Sequence, residues 1–173
     1  MEWNVVVTAE RGAERELLES LSEDGDFERS GFRDVLVGRV SDISDFLDDA
    51  ERGKFSGLSR IIPIDECFSV SPSNIVSVLK RKVERYIDEI EPSETFAVRV
   101  ERRGMKEKVS SREVEREVGG YLYDLIEKMH GRKPKVDLKK PDKLIIIEIL
   151  GNKCGIGLIT KEMREKYAVI RVK

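Results

Sequence analysis

Between Phe96 and Leu158 the sequence writes strands around one long helix, and this stretch restricts the folds open to the chain. Phe96, Val98 and Val100 alternate with Arg99 and Glu101, the period of a half-buried strand. Ser110-Ser111-Arg112-Glu113 has the form of a capping box. It predicts a helix from Ser111 to about His130, burying Val114, Val118, Tyr121, Leu122, Leu125, Ile126 and Met129. Gly119-Gly120 lies in mid-helix, where each glycine costs roughly 1 kcal/mol against alanine. Close approach of a neighbouring strand is the expected reason. Leu144–Leu150 is nearly all apolar, as a central strand should be. The glycine-punctuated turn from Gly151 to Gly157 makes a hairpin with Ile156–Ile159.

The preceding half is more regular. Trp3–Thr8 predicts a strand and Ala13–Leu21 an amphipathic helix, closed by Asp24-Gly25-Asp26. A short strand over Phe27–Phe32 and another at Val35–Val37 follow. Ser41 is placed to cap a helix with the face Ile43, Phe46, Leu47 and Ala50. Ile61–Phe68 completes the order strand, helix, strands, helix, strand, which suggests a ferredoxin-like sandwich. Ser71-Pro72 opens a further helix, with Ile75, Leu79, Val83, Tyr86 and Ile90 along one side and Glu91-Pro92-Ser93 at its end. Thr160 is expected to cap a short helix to Tyr167, with Val169–Val172 as a strand or tail. The fold class is therefore α/β (α+β), with domains at 1–68 and 69–173.

Charge divides the chain in two. Residues 1–90 hold 12 Lys and Arg against 20 Asp and Glu, a net −8; residues 91–173 hold 20 against 14, a net +6. A polyanion partner is indicated for the second half only. The acidic helix with Asp42, Asp45, Asp48 and Asp49 reads as a solvated face. Glutamine is absent and asparagine occurs three times in 173 residues, a bias that high temperature favours. Cys67, Cys154 and the single His130 supply too little for a zinc site or a Cys/His nucleophile pair. No apolar run reaches twenty residues, so a cytoplasmic protein is expected. Gly151, Gly155 and Gly157 lack the spacing of a dinucleotide or phosphate loop. No cofactor and no catalytic residue is expected.

Cations gather at the turns of the basic half. Arg99, Arg102, Arg103, Lys106, Lys108 and Arg112 come from one strand, its loop and the next helix start; Lys139, Lys140, Lys143 and Lys153 come from other strand connections. Together they predict one electropositive rim for RNA phosphates, with Arg102 and Arg103 both facing solvent. Few aromatics accompany them, which favours reading structured RNA by backbone and shape.

In ordered series, several pieces resemble a THUMP domain preceded by a ferredoxin-like domain. They are Phe96–Gly104, the Ser110/Ser111 helix start, Val118-Gly119, Val136-Asp137-Leu138, Pro141-Asp142, Ile145–Ile149 and the hairpin ending in Gly157. The resemblance implies a tRNA-modifying context in which the domain engages the acceptor stem and 3′ end. Family members usually attach a catalytic domain, and none follows in these 173 residues. That arrangement resembles the adaptor presenting tRNA to a separate RNA acetyltransferase that forms N4-acetylcytidine. Two alternatives stand beside it: the RNA-binding subunit of a split tRNA methyltransferase or thiolation enzyme, and a ferredoxin-like regulator that binds a small molecule or itself.

Overall fold

The computed structural model describes residues 1–172 as an α+β chain in two compact units. The first comprises Met1–Cys67 with the chain from Glu162 onward, and the second Phe68–Lys161.

In the first unit β1 (Val5–Ala9), α1 (Glu14–Ser20), β2 (Asp26–Arg29), β3 (Val35–Arg39), α2 (Ile43–Glu51) and β4 (Leu58–Pro63) follow one another. The sheet order is β2-β3-β1-β4 with every pairing antiparallel. Each helix thus joins two strands with a third between them, a split β-α-β arrangement. Val6 faces Val37 on one side and Ile62 on the other. Asp42, rather than Ser41, caps α2: its carboxylate accepts the Asp45 N–H at 2.9 Å, one residue later than the serine predicted. Gly38 tolerates no side chain, because a Cβ there would lie 2.2 Å from the Phe27 ring.

The segment after Glu162 departs from a second domain running through 69–173. Tyr167 and Ile170 are buried, and the Tyr167 hydroxyl donates to Asp48 at 2.9 Å. The Val169 carbonyl accepts from Ile61 N–H, and Arg171 Nη2 donates to the Ser59 carbonyl. These bonds tie the tail to the first unit without forming a strand over Val169–Val172. Lys173, at the end of the expected domain, lies outside the described residues.

β5 (Glu66–Ser69) carries the chain into the second unit. There α3 (Ile75–Val83) tightens into a 3-10 stretch over Glu84–Glu89 and leads to β6 (Thr95–Arg103) and α4 (Ser111–His130). β7 (Lys135–Val136), β8 (Lys143–Leu150) and β9 (Lys153–Thr160) complete this unit, and α5 (Lys161–Lys166) leads into the segment that belongs to the first. The sheet runs β5-β9-β8-β6-β7; β6 is parallel to both β7 and β8, whereas β8 and β9 form the antiparallel hairpin. Asn74, not Ser71, precedes α3, and its side chain accepts the Ser71 N–H instead of capping the helix.

α4 starts as the sequence requires, with the Ser110 hydroxyl accepting from Glu113 N–H. Val114, Val118, Leu122 and Ile126 form its buried stripe against Val98, Val100, Ile145 and Ile147. Tyr121 and Leu125 are only half-buried, and Met129 is 62% exposed, so the helix face is narrower than predicted. The glycine pair has no packing reason of the expected kind. A Cβ on Gly119 would touch Val98 at an ordinary 3.9 Å, and one on Gly120 would meet nothing within 4 Å. Replacing Gly120 by alanine should therefore stabilise the protein by about 1 kcal/mol. Thermal melting should show a rise of about 2–4 °C; a fall would mean that the backbone at Gly120 is held in a way a Cβ cannot share.

Candidate nucleic-acid interface

The parallel register of β6 with β8 fixes the cations in space. Phe96 lies beside Lys143 and Arg103 beside Leu150, so these ends stand about 23 Å apart at roughly 3.3 Å per residue. Lys143 is at one end of the sheet and Lys153, paired with Leu150, at the other. The ten expected cations do not form one rim.

Five of them are engaged within the unit. Arg103 donates to the fully buried Glu148 carboxylate at 3.1 Å and lies 3.6 Å from Glu101. Alternation along β6 sends its neighbour Arg102 to the other face, where Arg102 bonds the Gly104 carbonyl and its Nε is buried without a partner. The expectation that both arginines face solvent therefore fails. Lys143 bridges the Glu89 carbonyl and the Glu94 carboxylate. Lys153 donates to Ser69, and Arg99 Nη2 to the Leu138 carbonyl at 2.9 Å, with Glu115 3.9 Å away.

Lys106, Lys108, Arg112, Lys139 and Lys140 are exposed and carry no ion pair among the described residues. The first two ride on the loop between β6 and α4, which holds Met105 and Glu107 at φ 52° and 69°, a left-handed backbone that costs energy in non-glycine residues. Lys108 and Val109 N–H groups close this loop onto the Met105 carbonyl. Lys139 and Lys140 follow Asp137, whose side chain accepts both of their N–H groups at 2.9 and 3.0 Å. At the base of that connection Asp142 receives the Thr95 N–H at 2.9 Å and the Thr95 hydroxyl at 3.2 Å. The Thr95 amide, above all, holds the Asp142 carboxyl below its ordinary value of 3.8.

Between the two cation groups runs a groove of about 390 Å³, within the range of ligand sites. Phe96, Ala97 and Val98 form one wall, Gly119, Gly120 and Tyr123 on α4 the other, with Val136 and Leu138 at the lip. Val136 is 50% and Leu138 66% exposed. Arg112 and Arg116, one turn apart on α4, also line it. Its carboxylate, Glu115, accepts the Val100 N–H at 2.8 Å and so caps the edge of β6. Arg116, Tyr123 and the groove itself were not foreseen from the sequence. The misplaced glycine pair was the available signal.

Two substitutions separate framework from surface. Arg103→Ala leaves the buried Glu148 without its guanidinium and should cost about 3 kcal/mol in urea unfolding, whereas Lys106→Ala should stay within about 0.5 kcal/mol. Equal effects would contradict the assignment. Asp142, with its folded pKa depressed, stabilises above the ordinary carboxylate value, and that contribution is lost as pH falls below about 3.8 through the folded value. Asp142→Asn should accordingly flatten the acid limb of stability against pH; an unchanged limb would show that the Thr95 contact does not favour the charged form.

Among the described residues no cluster of His, Cys, Asp and Glu could hold a metal ion, and no helix is long and apolar enough to cross a membrane. No curated protein matches the chain significantly. Solved structures share its fold at low identity. TrmN from Thermus thermophilus aligns at TM-score 0.66 and 20% identity, over 91% of this chain and 45% of that one. SMU.472 complexed with SAH aligns at 0.57 and 16%, over 92% and 41%. A 4-thiouridine synthetase in an RNA complex with bound ATP aligns at 0.54 and 17%, over 91% and 41%. The chain spans less than half the length of each of these. The family model for the THUMP domain matches residues 76–159, which include α4, the groove and the β8–β9 hairpin. The second unit carries a THUMP domain.

Proposed function

We propose that this chain is a non-catalytic tRNA-binding module, holding acceptor-stem phosphates and the 3′ end with its THUMP domain while a separate enzyme modifies the RNA. The observation that carries the reading is the set of exposed, unpaired cations beside the groove. Lys106, Lys108 and Arg112 stand toward one end, and Lys139 and Lys140 follow Leu138 at its lip, with Arg116 on the wall. Cations without internal carboxylate partners are the ones free to replace counterions on a phosphate chain. The carboxylate among the lining residues, Glu115, accepts the Val100 N–H of the β6 backbone. The first unit, read as a ferredoxin-like domain of acidic character, sets spacing or meets the enzyme. The partner in this reading is an RNA cytidine acetyltransferase forming N4-acetylcytidine, which rests on the sequence resemblance.

A second reading has its own support. A structure of similar fold holds SAH, the by-product of methyl transfer from S-adenosylmethionine, and another is a 4-thiouridine synthetase bound to RNA. The chain would then be the RNA-binding part of a methylation or thiolation enzyme. Incubating tRNA with this protein and, in turn, a cytidine acetyltransferase, a methyltransferase or a thiolation enzyme decides between them: the nucleoside whose yield depends on this chain names the partner.

Binding itself is tested with a tRNA transcript over a salt series. Six phosphate contacts predict a log–log slope of about −5, and Arg112→Ala with Arg116→Ala should make it shallower by about 2. A flat response in the wild-type protein would eliminate the RNA reading.

A further inference from the structure

The sheet of the first unit ends in two strands whose outer edges differ. At β4 the tail covers the edge: Ile61 donates its N–H to the Val169 carbonyl at 3.0 Å, and the Ser59 carbonyl accepts from Arg171. Pro63, in the same strand, has no N–H to offer. At β2 the edge is open. Ser30 donates its N–H to the Val35 carbonyl at 3.1 Å, in step with the pairs Glu28–Val37 and Asp26–Arg39. Main-chain groups alternate between the two sides of a strand, so Phe27 and Arg29 turn their N–H and C=O groups away from β3. Among the described residues no hydrogen bond reaches these groups. Such a row is a template for one more strand.

A groove lies beside this edge. α1 runs alongside β2, where Arg29 Nε donates to Glu14 at 3.0 Å. Farther along, Leu18, Ser22, Phe27 and Met1 line a cavity of about 360 Å³. Side chains alternate along a strand, so Asp26 and Glu28 stand on the face opposite Phe27. Both are exposed and carry no ion pair among the described residues. An added strand keeps the same two-residue period. Its residue opposite Phe27 points to the α1 side, toward the cavity, and the residues flanking it stand opposite Asp26 and Glu28. The edge therefore specifies a cation, an apolar residue and a cation in succession. Main-chain bonds supply affinity in such additions, and alternate side chains supply the choice. A second copy of β2 fits less well. Antiparallel pairing centred on Phe27 sets Asp26 against Glu28, and pairing centred on Glu28 sets that carboxylate against itself.

Resting on the reading above that the first unit meets the enzyme, we infer that the open edge of β2 takes an extended basic segment of a partner protein as a fifth strand, in the groove beside α1. The two carboxylates keep the edge from pairing with itself and select a cationic strand.

The probe is a capped seven-residue peptide of alternating lysine and leucine, titrated into the full chain by NMR beside a counterpart with glutamate for lysine. Amide shifts should centre on Phe27 and Arg29, and the lysine peptide should bind about tenfold tighter than the glutamate one. Asp26→Lys with Glu28→Lys should invert that preference. Should the double variant melt lower than wild type, Glu28→Lys alone must still reduce the preference. N-methylating the backbone of the lysine peptide removes its N–H donors and keeps its charge, and binding should weaken at least tenfold. Equal binding of the methylated peptide would reduce the contact to charge and overturn the added strand. No binding of the lysine peptide, or an unchanged preference in the variants, would overturn it as well. A yield of modified nucleoside that depends on this chain but survives the double substitution would keep the adaptor reading and remove the β2 edge from it.

Discussion

Parallel pairing of β6 with β8 is the constraint on which the second unit depends. It buries Val98 and Val100 beside Ile145 and Ile147, and gives α4 an apolar surface on which Val114, Val118, Leu122 and Ile126 pack. Each such side chain contributes on the order of 2 kcal/mol when taken out of water. The same register decides which charges become framework. Arg103 reaches Glu148, a residue with no exposed surface, and Lys143 is drawn to Glu89 and Glu94. Cations that the loops carry beyond the ladder escape this neutralisation.

Much of this architecture was legible in the residues because it follows from periodicity and end signals. The alternation from Phe96, the capping serine at Ser110 and the apolar run entering at Leu144 each specify an element, and each is found in place. Boundaries set by competing local chemistry were less accessible. Ser41 and Asp42 are both good caps, and only the backbone path selects the aspartate. Ile61–Phe68 is two strands, β4 and β5, rather than one. The return of Tyr167 to Asp48, more than a hundred residues distant, leaves no trace in any local pattern.

The site was half legible for a related reason. Composition shows how many cations a segment holds, but not which carboxylates lie beside them after folding. Arg102 and Arg103 are adjacent in sequence and end on opposite faces, one bent onto Gly104 and the other locked to Glu148. The glycine pair costs the helix stability without the close packing that its sequence position suggests. The open space beside Gly120 instead joins that cost to the groove, a place where local stability is given up and space is left open.

That the α4 groove and its unpaired cations are where RNA meets this protein is the central claim, and amide chemical-shift mapping with an acceptor-stem hairpin tests it most directly. The account predicts shifts concentrated at Val98, Lys106, Lys108, Arg112, Gly119, Gly120, Lys139 and Lys140, with Lys143 and Lys153 little moved. Shifts confined to the first unit, or spread evenly over the basic surface without the groove, would contradict it.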